Sequence, residues 1–227
     1  MIDISSQLHS LKESIRECEI KYHRDPNSVS LLAVTKGQSV EAILQAVEAG
    51  QYLFGENYLQ EALPKIAQLD KKELEWHFIG PIQSNKTRKI AEHFSWVQSV
   101  SNARIAKRLN DQRPSDLPPL NICLEVNISQ EITKEGVSFQ DIFSLADYCT
   151  SLPRLKLRGL MAIPAPKKIF SEQCAEFNKL KNLYNLLLEK GFMLDTLSIG
   201  MSNDWEAAIA EGSTMLRIGT KIFGQRN

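Results

Sequence analysis

Leu31-Leu32-Ala33-Val34-Thr35-Lys36-Gly37-Gln38-Ser39 runs from an apolar strand into a helix start. Ser39 can cap the pattern of Val40, Ile43, Leu44 and Val47 that follows. No Gly-x-Gly-x-x-Gly fingerprint lies between the two. The same alternation continues outward. Strand-like runs fall at residues 31–34, 52–55, 76–79, 96–100, 121–128, 155–163, 196–199 and 215–223, eight in all. Ser84, Ser101 and Ser138 with Asp141 precede further helical patterns, and Phe177, Leu180, Leu183, Tyr184 and Leu187 mark the longest helix. Strands alternating with helices imply right-handed βαβ units and a parallel sheet. The count of eight favours an α/β fold of the closed (β/α)8 kind, a TIM-like barrel, over a doubly wound sheet. Ile4, Leu8, Leu11, Ile15 and Cys18 stripe an N-terminal helix, which is expected to fill the place of a missing eighth barrel helix. Residues 112–119 are expected to be a surface loop, so residues 1–227 read as one domain.

Composition excludes classes rather than choosing one. The 227 residues carry 27 Lys+Arg against 27 Asp+Glu, a net charge of zero. A general nucleic-acid or anionic-membrane binder would show a basic excess, so neither partner is expected. The cluster Lys86, Arg88, Lys89 reads as a solvated helix face. No run is long enough to span a membrane, and Met1-Ile2-Asp3-Ile4-Ser5 is no signal peptide. Cys18, Cys123, Cys149 and Cys174 are widely spaced, with no Cys-x-x-Cys pair; they read as reduced core residues of a cytoplasmic protein, with no metal site.

Barrels bind ligands at the carboxyl ends of their strands, so those ends hold the candidate chemistry. Lys36 ends the first strand. A lysine against apolar walls has its charged form disfavoured, and its neutral amine can capture an aldehyde; alternatively it snorkels to solvent. Ser198-Ile199-Gly200-Met201-Ser202-Asn203-Asp204 and Arg217-Ile218-Gly219-Thr220 end the seventh and eighth strands. Two adjacent Gly–hydroxyl turns there suit a phosphate. With Lys36 on the next strand around a closed barrel, they describe a phosphorylated aldehyde held at both ends, which fits pyridoxal phosphate (PLP).

Six segments carry a resemblance: 32–36, 54–61, 76–86, 159–163, 198–202 and 217–224. In that order they resemble the pyridoxal phosphate homeostasis proteins, which are similar to a stand-alone barrel domain of alanine racemase. The resemblance implies PLP as cofactor, held as a Schiff base on Lys36. It implies a phosphate cup of Ser202, Gly219 and Thr220 with backbone at Gly200 and Met201, and Arg217 facing the pyridine nitrogen. It places Asn57 and His77 in the pocket lining. His77 also reads as a satisfied core histidine, and Glu56 as either a partner of another pocket charge or a solvent-facing group. The family commonly has Val-Ser-Lys-Thr-Lys-Pro where this chain has Val34-Thr35-Lys36-Gly37-Gln38-Ser39, so Gln38 stands in place of a second lysine. Lys134 matches a family segment, but the reading preferred for it is a solvated loop lysine.

Three functions compete. The first is a PLP-binding protein of vitamin B6 homeostasis without efficient turnover, a monomer whose protein partners would be PLP-dependent apoenzymes. The second is a PLP-dependent amino-acid racemase; it needs a base on each face of the substrate, where only Lys36 is evident, and a second domain that 227 residues leave no room for. The third is a barrel that binds another phosphorylated metabolite without PLP.

Overall fold

The computed structural model describes residues 3–70, 72–129 and 135–225. Eight strands, β1 (Ser30–Val34), β2 (Leu53–Glu56), β3 (Glu75–Phe78), β4 (Trp96–Val100), β5 (Leu120–Glu125), β6 (Leu155–Met161), β7 (Thr196–Ser198) and β8 (Met215–Ile218), close into a barrel in sequence order. All neighbouring pairs are parallel, including the closing pair β1–β8, with Leu32 opposite Arg217 and Ala33 opposite Ile218. The helices are α1 (Ile4–Lys21), α2 (Val40–Glu48), α3 (Leu59–Gln68), α4 (Thr87–His93), α5 (Ala103–Gln112), α6 (Ile142–Thr150), α7 (Phe170–Glu189), α8 (Trp205–Ala210) and α9 (Thr220–Phe223).

The core has the two compartments that barrel geometry demands. Most buried side chains lie between strands and helices. Inside the barrel, Trp96, Cys123 and Met161 form one apolar cluster and Leu32, Ile79 and Met215 another. α1 packs on α2, α8 and α9, so it occupies the gap between the last and first helices of the ring. Its stripe Ile4, Leu8, Leu11, Ile15 and Cys18 is buried throughout.

Several details differ from the expectations. The run 215–223 is not one strand: β8 ends at Ile218 and α9 follows Gly219. A short apolar run cannot be assigned to strand or helix by periodicity alone. β5 stops at Glu125, after which Val126 and Asn127 turn to meet Val137. β6 stops at Met161. Ser39 caps α2, its Oγ accepting from the Ala42 N–H at 3.3 Å. For α5 the cap is Asn102 and not Ser101, with Oδ1 accepting from the Ile105 N–H at 3.0 Å. α4 has Lys86 at its N-cap position and no side-chain cap; Ser84 contributes only its carbonyl, which accepts from Thr87 Oγ1. The 112–119 loop is tied down by two arginines. Buried Arg113 donates to the carbonyls of Ala91, Phe94 and Pro118, and Arg154 donates to those of Pro114 and Leu117. Cys18, Cys123 and Cys149 are buried free thiols, while Cys174 is half-buried. No described helix is long and apolar enough to cross a membrane.

Candidate ligand pocket at the carboxyl end of the barrel

A cavity of about 690 Å³ opens at the carboxyl ends of the strands. Lys36, Asn57, Met201, Ser202, Arg217, Gly219 and Thr220 all line it. The sequence-derived residues therefore converge from the ends of β1, β2, β7 and β8. The β1–β8 register is what brings Lys36 beside the Gly219 turn.

Gly200 sits behind this lining. With φ at +98°, it adopts backbone that side chains disfavour, and a Cβ there would come within 2.6 Å of Ala208 Cβ and Leu216 Cδ2. It sets the turn that presents Met201 and Ser202. Asp204 shapes the same turn: its Oδ1 accepts from the Met201 N–H at 2.6 Å, and burial raises its carboxyl above the ordinary range. Asn57 contributes a buried Oδ1 with no hydrogen-bond partner among the described residues. A buried acceptor without a partner is uncommon, and this one belongs to a residue of the cavity wall.

Arg217 is buried and clamped. Its Nη1 donates to the Ser198 carbonyl at 2.6 Å and to Ser198 Oγ at 2.7 Å, and Nη2 donates to the Ala162 carbonyl at 2.9 Å. Burial lowers its pKa to about 10, against the opposing pull of Glu125 and Asp204. It stays cationic at neutral pH.

His77 is placed deeper. It lies two residues before Ile79, which lines the cavity, and its ring is fully buried against Trp96. Nδ1 accepts from Gln98 Nε2 at 2.9 Å, and Nε2 lies 2.9 Å from Glu75 Oε1. Gln98 Oε1 accepts from Ser198 Oγ at 2.6 Å. A hydrogen-bond chain thus runs from Arg217 through Ser198, Gln98 and His77 to Glu75, along the barrel interior. Burial pushes the imidazole pKa down, so His77 is neutral at pH 7 with its proton on Nε2 facing Glu75.

Glu56 meets neither expectation held for it. It is fully buried and faces Lys65 on α3, behind the barrel wall, with Nζ 2.6 Å from Oε1. Lys134 lies outside the described residues. Lys86 is half-buried while Arg88 and Lys89 are exposed, and Lys89 pairs with Glu92 at 3.0 Å. Among the described residues no group of three or more His, Cys, Asp or Glu could hold a metal.

Sequence reasoning missed Lys167, Lys168 and Gln173, which also line the cavity. They follow the Pro164-Ala165-Pro166 loop after β6, so the strand-end rule would have found them had it been applied to that loop.

The pattern of the family described as "Alanine racemase, N-terminal domain" matches residues 7–227. A pyridoxal phosphate homeostasis protein of Pseudomonas aeruginosa is 52% identical over 227 residues, covering 100% of this chain and 97% of that protein. One from Escherichia coli is 48% identical over 230 residues, covering 100% and 98%. PipY of Synechococcus elongatus, solved with PLP bound, superposes with a TM-score of 0.86 at 35% identity, covering 97% of this chain and 100% of that one. Alanine racemase of Corynebacterium glutamicum shares the fold, at a TM-score of 0.70 and 14% identity, with 99% of this chain spanning 60% of that one. With its barrel, its strand-end lysine and near full-length likeness to these relatives, the chain belongs to the alanine racemase N-terminal domain family, among the pyridoxal phosphate homeostasis proteins.

Proposed function

We propose that this chain binds pyridoxal phosphate in the strand-end cavity and serves the homeostasis of that cofactor, holding it covalently through Lys36. The observation that carries the reading is the convergence of Lys36, Asn57, Ser202, Arg217, Gly219 and Thr220 on one cavity of about 690 Å³. That volume suits a small cofactor. The orphan Asn57 acceptor and the hydroxyls of Ser202 and Thr220 offer polar partners, and Lys36, Arg217, Lys167 and Lys168 supply positive charge for a phosphorylated ligand. The relatives' name and the PLP-bound PipY support the same ligand.

Bound PLP supplies an aldehyde at one end and a phosphate at the other. Lys36 Nζ would bond to the aldehyde carbon, with the carbonyl oxygen leaving as water. Ser202 and Thr220 would donate hydroxyl hydrogens to the phosphate, with Gly219 letting backbone approach it; Gly200 would act from behind by setting the turn, and the Met201 N–H is held by Asp204. Arg217 would stand at the pyridine nitrogen and disfavour a proton there, which suits a carrier better than a catalyst. His77, set below the floor, would act on the pocket through Gln98, Ser198 and Arg217. The same reading takes a cytoplasmic monomer, with PLP-dependent apoenzymes as protein partners; four free thiols fit that compartment.

The test is to record the visible spectrum of the PLP-loaded protein, reduce it with borohydride and map the modified peptide. Modification at Lys36 is expected. A protein that takes up no PLP, or takes it up at another lysine, overturns the assignment. Alanine α-proton exchange in heavy water at a turnover useful to a cell would restore an enzyme.

A further inference from the structure

The segment Phe54-Gly55-Glu56-Asn57-Tyr58-Leu59-Gln60-Glu61 contributes only Asn57 to the cavity. Its two carboxylates face the other way, and the structure gives them work. Glu56 Oε1 accepts from Thr35 Oγ1 at 2.7 Å and from Lys65 Nζ at 2.6 Å. Lys65 Nζ also donates to the Thr35 carbonyl at 2.8 Å. Glu61 Oε2 accepts from the Gly37 N–H at 2.8 Å and lies 3.9 Å from Lys65 Nζ. Thr35 and Gly37 are the two neighbours of Lys36.

The consequence is geometric. The Thr35 carbonyl belongs to the peptide group before Lys36, and the Gly37 N–H to the one after it. These two planes fix φ and ψ of Lys36, and so the direction of its Cα–Cβ bond. The Gln38 N–H also donates to the Thr35 carbonyl, at 3.0 Å, which closes a tight turn with Lys36 and Gly37 at its centre. Gly37 has φ at +71°, the positive value that a type II turn takes at its third residue. Thr35, Glu56 and Lys65 are buried, and none of Thr35, Glu56, Glu61 and Lys65 lines the cavity.

We propose that Glu56, Glu61 and Lys65 are positioning residues for Lys36, gripping both of its flanking peptide groups from behind the barrel wall so that its amine meets the ligand aldehyde in one fixed direction. The inference rests on Lys36 being the attachment point. A buried ion pair is weak evidence for stability, and in some systems such pairs fix conformation instead, which is the role the geometry gives this one. This pair sits on the two elements, the end of β2 and α3, that flank the Lys36 turn.

The test compares full-length Glu61→Ala, Glu61→Gln and the double variant Glu56→Leu with Lys65→Met. Glu61 is 42% exposed, so its replacement is tolerated by the fold. The double variant removes both buried charges together and avoids leaving one unpaired. In ligand-free protein, amide exchange at Gly37 and the pH profile of Lys36 labelling by an amine reagent are read by mass spectrometry. In Glu61→Ala, exchange at Gly37 should rise roughly tenfold, the loss expected for a hydrogen bond to a charged acceptor. Glu61→Gln keeps an acceptor and should restore much of it. Both Glu61→Ala and the double variant should slow borohydride-trapped attachment of PLP to Lys36 by about tenfold, and shift the Lys36 labelling profile, with urea midpoints near that of the parent. Unchanged Gly37 exchange and unchanged Lys36 labelling in folded variants would overturn the proposal. Should PLP attach elsewhere in the parent protein, the attachment reading fails by itself, while the Gly37 and Lys36 readouts still report whether the grip exists.

Discussion

Glu125 ends β5 on the same face as Asn121, which meets Arg158, and Cys123, which packs inside the barrel. Burial raises its carboxyl to about 7, with Glu135 adding to the rise and Arg217 opposing it. The folded protein therefore holds this proton up to about pH 7, whereas the unfolded chain loses it near 4.5. Between those values, raising the pH favours unfolding. Above pH 7 the full cost is in place, on the order of 3 kcal/mol. His77 runs the other way: burial lowers its pKa, so its contribution is present above the ordinary imidazole value of 6.5 and fades as the pH falls. Comparing parent and Glu125→Gln at each pH cancels the histidine and isolates the carboxyl. The variant should be more stable by roughly 3 kcal/mol at pH 8, and the gap should close towards pH 4.5. Urea midpoints across that range measure it, and a gap independent of pH would refute the assignment.

α1 shows what a single element contributes and how much of it is legible. Leu8 is fully buried at the centre of its stripe, where α1 fills the place of an eighth barrel helix. Leu8→Ala should cost about 2–5 kcal/mol by transfer and cavity terms. Leu188→Ala on α7, where the side chain is 40% exposed, should fall within about 0.5 kcal/mol of the parent. Denaturant titration separates the two, and equal losses would mean that α1 is not packed as described. The stripe Ile4, Leu8, Leu11, Ile15 and Cys18 was readable because amphipathic spacing is a local signal. So were the eight apolar runs and the strand-end lysine. The cap at Ser101 was misread because Asn102 offers an acceptor one position on, and Ser84 caps nothing because α4 starts after Lys86 with no side-chain cap. The run 215–223 was misread because Ile222 and Phe223 are buried as a helical turn and not as strand residues. Least legible were the polar pairings. Arg113 with Ala91, Gln98 with Ser198, and Glu56 with Lys65 depend on which residues the closed barrel brings together, and no sequence period records that.

At the scale of the whole barrel, closure is unevenly secured. β5 and β6 pair from Leu120↔Leu155 to Glu125↔Met161, whereas β7, the shortest strand, meets β8 at Ser198↔Met215. The closing pair β1–β8 joins strands from opposite ends of the chain. The proposed ligand would touch this seam on both sides, through Lys36 after β1 and through Ser202, Gly219 and Thr220 after β7 and β8. A ligand that binds only the folded seam stabilises it by mass action, about 2.7 kcal/mol at a hundred times its dissociation constant. Openings that part β1 from β8 must first release the ligand. Amides of β1, β7 and β8 should then exchange up to about a hundredfold more slowly in PLP-saturated protein. Amides of α5 and α6, which lie away from the cavity and can fray with the ligand in place, should keep their rates. Hydrogen exchange with and without PLP measures both sets, and pyridoxal without its phosphate should protect β1 less, because it leaves the cup unengaged. Protection concentrated on α5 and α6, with β1 and β8 unchanged, would show that the ligand does not bridge the seam.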